Sequence, residues 1–208
     1  MRFLSFAAAF LGLVLVACPA WADDLNPPAW RGQPGTTFQE WKFLNDNPTP
    51  SPDLVNNPYG QPSSHVWPGT DQHWWSTWGG RPGVWPLSGT SEFYLPNAPP
   101  NDCKDVWIQI TWAKQAILSA PILSSNPGGT IQLLHEVNIG PTGEPPPAGA
   151  NWWHSTYTIR IYPNPTFETI RIDGTIMVDQ VVIDTICAPE PASLGLLLMG
   201  GVALLRRR

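Results

Sequence analysis

The chain of 208 residues carries 16 acidic against 11 basic side chains, a formal charge of −5, together with 25 prolines and 18 glycines. That charge balance excludes nucleic acid as a partner, because binding a polyphosphate needs a basic surface. The density of proline and glycine excludes long helices and favours short strands joined by many turns.

The amino end reads as an export signal. Met1-Arg2 is a short basic start, Phe3 to Ala17 is an apolar run, and Ala20-Trp21-Ala22 supplies a small-x-small cleavage site. Residues 1–22 are therefore expected to be a signal peptide, with the mature chain starting at Asp23. Leu15-Val16-Ala17-Cys18 offers an alternative in the form of a lipobox, with Cys18 as a lipidated N-terminus. Both readings export the protein. The span 23–188 then holds seven basic and fifteen acidic residues, a net −8, and its length suits one domain with a sizeable core.

The exported part opens on a lead rich in turn residues, Asp23 to Thr37, before a first aromatic strand at Phe38–Phe43. Asn45 to Pro68 reads as a long polar loop with little to bury. Asp71 to Trp85 holds four tryptophans and two glycine-bearing turns, and Glu92–Leu95 is a short strand. From Asp105 to Trp112, Val106, Ile108 and Ile110 alternate with Trp107, Gln109 and Thr111, the period of a strand with two unlike faces. Ala113 to Leu118 fits either a helical turn or an extended run. Thr130–Val137 is a further strand, and the loop after it has a three-proline core leaning to polyproline II. Trp153 to Tyr162 alternates cleanly, and Phe167–Ile172 follows. Asp173-Gly174 is a hairpin turn signal. Ile176–Ile186 is apolar on both faces, as a central or sheet-to-sheet strand should be. The sum is an all-β fold, an antiparallel β-sandwich.

Two cysteines survive export, Cys103 and Cys187. In an oxidising compartment such a pair is most simply one disulfide, stabilising the fold by roughly 4–5 kcal/mol on the chain-entropy model. Two separate thiols or intermolecular bonds are the alternatives.

The carboxyl end has three parts in fixed order: Pro189-Glu190-Pro191, an apolar run from Ala192 to Leu205, and Arg206-Arg207-Arg208. The prolines keep the triplet extended and outside any helix. A helix over 192–205 would be about 21 Å long at 1.5 Å per residue, shorter than a hydrocarbon core of roughly 30 Å. The arginines can snorkel and hold the end on the cytoplasmic side. This arrangement resembles the PEP-CTERM sorting signal. The resemblance implies a bacterial surface protein processed by an exosortase and anchored weakly or transiently in the membrane. It further implies a role in a cell envelope or a polysaccharide-rich matrix.

The last strand carries a second resemblance. Met177-Val178-Asp179-Gln180-Val181-Val182-Ile183 is similar to the closing strand of galactose-binding-like jelly rolls, a fold shared by many carbohydrate-binding modules. That likeness implies a structural Ca²⁺ held by Asp179 and Glu40, two of the six to eight oxygens the ion needs.

Two aromatic clusters are the candidate ligand platforms. Trp74, Trp75 and Trp78 stand beside His73, and Trp152 and Trp153 beside His154. Sugar rings stack on indole faces, and amides and imidazoles can bond their hydroxyls. The competing reading buries the same indoles as staples between loops and core. No zincin pattern follows His135-Glu136, and Gly89-Thr90-Ser91-Glu92-Phe93 lacks the closing glycine of a nucleophile elbow. The expectation is a non-catalytic glycan-binding or structural module of a polysaccharide-rich surface. The alternative is a hydrolase acting on such polysaccharide through paired carboxylates.

Overall fold

A computed structural model of the chain describes residues 23–97, 103–115, 119–140 and 151–188. The segment 1–22 with Cys18, the three-proline loop core, residues 116–118 and the sorting tail 189–208 lie outside the described residues. So do Pro189, Glu190, Pro191, the apolar run 192–205 and Arg206, Arg207 and Arg208.

All regular structure among the described residues is strand. In chain order the strands are β1 (Thr36–Trp41), β2 (Leu54–Asn56), β3 (Ser63–Trp67), β4 (Trp75–Trp78), β5 (Arg81–Leu87) and β6 (Thr90–Pro96). They continue as β7 (Cys103–Lys114), β8 (Ile122–Asn126), β9 (Gly129–Gly140), β10 (Trp152–Ile161), β11 (Phe167–Asp173) and β12 (Ile176–Ala188). They form two antiparallel sheets. The larger runs β2-β1-β12-β7-β10-β9, with β5 also on β12 and β4 on β5. The smaller runs β3-β6-β11-β8.

The two-residue period of these strands builds the core. Val106, Ile108, Ile110 and Trp112 of β7 meet Ile159 and Ile161 of β10 and Val181 and Ile183 of β12 on the inner face of the large sheet. Phe93 and Leu95 of β6, with Ile170 and Ile172 of β11, close the core from the small sheet. Each such side chain contributes about 1.5–3 kcal/mol when fully buried. Trp41 fits edge-on against Phe93, with ring centres 4.9 Å apart.

β12 explains its own apolar character, because it lies inside the large sheet between β1 and β7. Val178 opposes Trp112 while Gln180 opposes Thr111, so Asp179 is the extra residue of a β-bulge. The bulge keeps Val178 and Val181 both inward and turns Asp179 and Gln180 to the other side. On that side Met177 joins Val84, Ala113 and Trp152 in a second small core.

Three expectations need correction. The stretch Asn45–Pro68 is not a bare loop, since it contains β2 and β3. It is pinned by Val66 N donating to Pro48 O (2.7 Å), and by Trp41 Nε1 (3.2 Å) and Ser64 Oγ (2.8 Å) donating to Pro50 O. Asp173-Gly174 does not close a hairpin. β11 pairs with β6 and β8, β12 with β1, β5 and β7, so the turn carries the chain from one sheet to the other. Local turn chemistry marks a reversal but not which strand is then joined.

The expected disulfide is absent. Cys103 opposes Ala188, and Cys187 opposes Lys104. The two cysteines are thus one register step apart on adjacent strands, and side chains so related leave opposite faces of a sheet. Their sulfurs are not bonded to each other, and joining them would need backbone movement. Cys187 Sγ instead contacts Asn97 Oδ1 at 3.1 Å.

Candidate functional site

The outer face of the large sheet is the polar one. From β10 it presents His154, Thr156, Thr158 and Arg160, from β7 Asp105, Trp107, Gln109 and Thr111, and from β12 Gln180 and Asp184. The lead segment from Asp23 to Arg31 crosses this face as a strap. Asn26 N donates to Gln109 Oε1 (2.8 Å), Asn26 Nδ2 to Thr156 Oγ1 (3.3 Å), and Trp107 Nε1 to Asn26 O (2.8 Å). Turn residues hold no strand hydrogen bonds of their own, so the sheet's polar side chains satisfy them.

Charge fastens the strap at both ends. Arg31 reaches Asp184 through Nε (2.5 Å) and Nη2 (2.6 Å), and forks onto Asp24 as well. Arg81, at the start of β5, holds both Asp23 and Asp179, the latter at 2.7 Å. All three of these side chains are buried. Burial outweighs the pull of Arg81 and pushes the Asp179 carboxyl up to about 7. Burial also pushes Asp184 up to about 6 against the pull of Arg31.

Between the strap and the edge strand β9 the same face is hollow. One cavity, of about 540 Å³, is lined by Trp30, Asp105, Trp107, Gln132, Thr158 and Arg160, among others. A second, of about 340 Å³, is lined by Leu25, Asn26, Trp107, His135, Val137 and His154, among others. They share Trp107, so they adjoin along the sheet. Along β9 the lining runs from Thr130 to Val137, about 23 Å at roughly 3.3 Å per residue.

His154 is the unusual member. It is 0% exposed, yet neither ring nitrogen has a hydrogen-bond partner among the described residues. Burial pushes its pKa down to about 4, opposed by Asp24 and assisted by His135 and Arg81. The ring is therefore neutral at ordinary pH, one nitrogen a donor and the other an acceptor. Buried polar groups are nearly always bonded, and an unmet one costs about 1–3 kcal/mol. The residue lies in the wall of the second cavity.

The other sequence-predicted residues are distributed differently. Trp152 is fully buried and donates Nε1 to Gly79 O (2.9 Å), with the Arg81 guanidinium 5.0 Å from its ring centre. Trp78 packs edge-on against it at 5.6 Å. Trp74 donates to Phe43 O (2.7 Å) and packs on the core. These indoles staple the β4–β5 hairpin, whose turn residues Gly79 and Gly80 both have positive φ. Trp153 stacks on Trp112 at 6.2 Å, with Lys114 Nζ 5.1 Å from its ring. Trp75 alone of these five is exposed, and its ring lies 4.7 Å from that of His73. The two clusters thus do not form two platforms; only His154 enters the hollow face.

Both carboxylates of the expected calcium pair already have partners. Asp179 is on Arg81, while Glu40 accepts from Gln180 Nε2 (2.5 Å) and pairs with Lys42 Nζ (3.2 Å). Among the described residues no three His, Cys, Asp or Glu side chains come together as a metal cage.

Trp30, Trp107 and Gln132 escaped the sequence reading. Trp107 did carry a signal, since an indole on the polar face of an alternating strand has no core to fill. Trp30 and Gln132 carried none, because only the fold places the strap and the edge strand beside β7 and β10. The fold and site define an all-β sandwich with a strapped polar face. Comparison of the chain with protein-family models, with curated proteins and with solved structures finds no match.

Proposed function

We propose that this is an exported surface protein, released from a signal peptide at Asp23 and sorted by its PEP-CTERM-like tail through an exosortase, whose jelly-roll-type sandwich binds a neutral glycan. The ligand lies in the hollow between strap and β9 and belongs to the extracellular polysaccharide around the cell. The observation that carries this reading is His154, buried with two unanswered ring nitrogens in the wall of a cavity that the indole of Trp107 also lines.

The chemistry of the lining fits a sugar. Two half-buried indoles, Trp30 and Trp107, offer apolar faces, and Asn26, Gln132, Thr158 and His135 offer donors and acceptors for hydroxyls. A mostly apolar site with a few placed polar groups is the usual design for such ligands. The net −8 of the exported span disfavours acidic polysaccharide by long-range repulsion. The one carboxylate lining the two cavities, Asp105, is held bidentately by Arg160 at 2.6 Å on both oxygens. Glycoside hydrolysis needs two facing carboxyl groups, so the hollow favours binding over cleavage.

The test is calorimetric titration of the purified protein with cellohexaose, xylohexaose and chitohexaose. Binding of at least one, weakened several-fold or more in Trp107→Ala and retained in Trp75→Ala, supports the site. No binding to any of the three, or loss in Trp75→Ala instead, removes it.

A further inference from the structure

A different pair of residues lies unused inside the sandwich. Lys104 of β7 and Glu168 of β11 point inward from opposite sheets and are each 0% exposed. Lys104 Nζ stands 2.5 Å from Glu168 Oε1. Beyond this mutual contact, Nζ and both Glu168 oxygens have no hydrogen-bond partner among the described residues. Buried ion pairs are tolerated when further hydrogen bonds satisfy their remaining donors and acceptors. Here none does so, in contrast to the forked pairs of Arg31 and Arg81 on the outer face.

Low dielectric removes the reason for the pair to stay ionised. Burial lowers the Lys104 pKa and raises that of Glu168, each against the pull of the other. Moving one proton from Nζ to the carboxylate leaves a neutral amine against a neutral acid. That is a nucleophile and an electrophile held in contact with water excluded, the condition under which intramolecular reactions gain most from proximity. Cys187 lies directly across from Lys104 in the β7–β12 register, and Asn97 and Asn164 contact its sulfur. This end of the core therefore has polar side chains able to pass a proton.

We propose that Lys104 and Glu168 condense to an amide that cross-links the two sheets. Neutral Nζ attacks Glu168 Cδ, the N–C bond forms, and the carboxyl C–OH bond breaks. The departing hydroxyl takes a proton from nitrogen and leaves as water. Nothing is oxidised or reduced, and no co-reactant is consumed. The link joins β7 to β11, and so supplies a covalent tie between sheets in a domain whose two cysteines do not bridge.

The experiment is the intact mass of the purified protein under denaturing, reducing conditions, with its termini fixed by peptide mapping. The expected result is a mass one water below that of the mapped sequence. A branched peptide should join the segments holding Lys104 and Glu168, and faster migration should accompany it in a denaturing gel. Lys104→Met and Glu168→Leu should each restore the full mass. A folded wild-type protein with the full mass overturns the proposal even if both variants fail to fold. A loss of ammonia mapped to Asn97 or Asn164 also overturns it, because the electrophile would then be a carboxamide.

Discussion

The two faces of the large sheet handle buried charge in opposite ways. On the outer face Arg31 and Arg81 each hold two carboxylates, and the strap that carries Asp23 and Asp24 is ordered by these contacts. On the inner face Lys104 pairs with the single carboxylate of Glu168, and both side chains are 0% exposed. The first arrangement uses charge as a clasp, in which each arginine hydrogen-bonds two carboxylates. The second leaves charge poorly answered, which suits reaction or loss of ionisation rather than anchoring. His154 belongs to neither group, since it is neutral and buried in the wall of a cavity.

This contrast breaks most sharply at the inner pair. Lys104→Met strands Glu168 in the core and removes the cross-link, with an expected loss of about 3–5 kcal/mol in chemical denaturation. Lys104→Met with Glu168→Leu restores the charge balance and should regain a large part of that loss, without the resistance conferred by the cross-link. On the outer face Arg81→Met leaves Asp23 and Asp179 buried and unanswered, with an expected cost of about 3 kcal/mol. Limited proteolysis should then cut the strap between Asp23 and Arg31 faster than in the wild type. At the hollow, Trp107→Ala should weaken hexasaccharide binding by more than about 1 kcal/mol, several-fold or greater in Kd.

Acidity sharpens the comparison further. The folded pKa of Asp179, about 7, lies above its ordinary value of 3.8. The folded state therefore binds more protons than the unfolded state between these values, and stability falls as pH rises through that window. Asp184, raised to about 6, acts the same way over a narrower range. His154, lowered from 6.5 to about 4, acts oppositely, and its contribution grows as pH rises across that interval. Asp179→Asn should therefore gain on the wild type in thermal stability as pH goes from about 4 to about 7. The smallest effect on stability is expected for His154→Phe. Removing two unanswered nitrogens should leave stability unchanged or raised by up to about 1 kcal/mol, while hexasaccharide binding is lost.

Much of the sandwich was legible because its strands alternate. The faces of β7 and β10 follow directly from Val106, Ile108 and Ile110 and from Ile159 and Ile161, and the two-sided character of β12 marks it as interior. Pairing between distant segments was not legible. Cys103 and Cys187 share neighbouring strands, but a single step of register turns their sulfurs apart, and no local feature encodes that step. Nor do the tryptophans declare their burial, since Trp152 and Trp75 stand in similar turn-rich company. One is sealed by the Gly79–Gly80 turn and the other faces solvent. The site was legible only in part. His154 was singled out, but not the cavity it lines with Trp107, because only the pairing of β7 with β10 brings those strands together.

The central claim is that the strapped outer face, and not the exposed Trp75–His73 pair, is where a glycan binds. The most direct measurement is NMR of the indole and imidazole side-chain resonances during titration with cellohexaose, xylohexaose and chitohexaose. The ring signals of Trp107 and His154 should shift together and saturate with one of these glycans, while those of Trp75 and His73 stay in place. Shifts confined to Trp75 and His73, or none with any of the three, would contradict it.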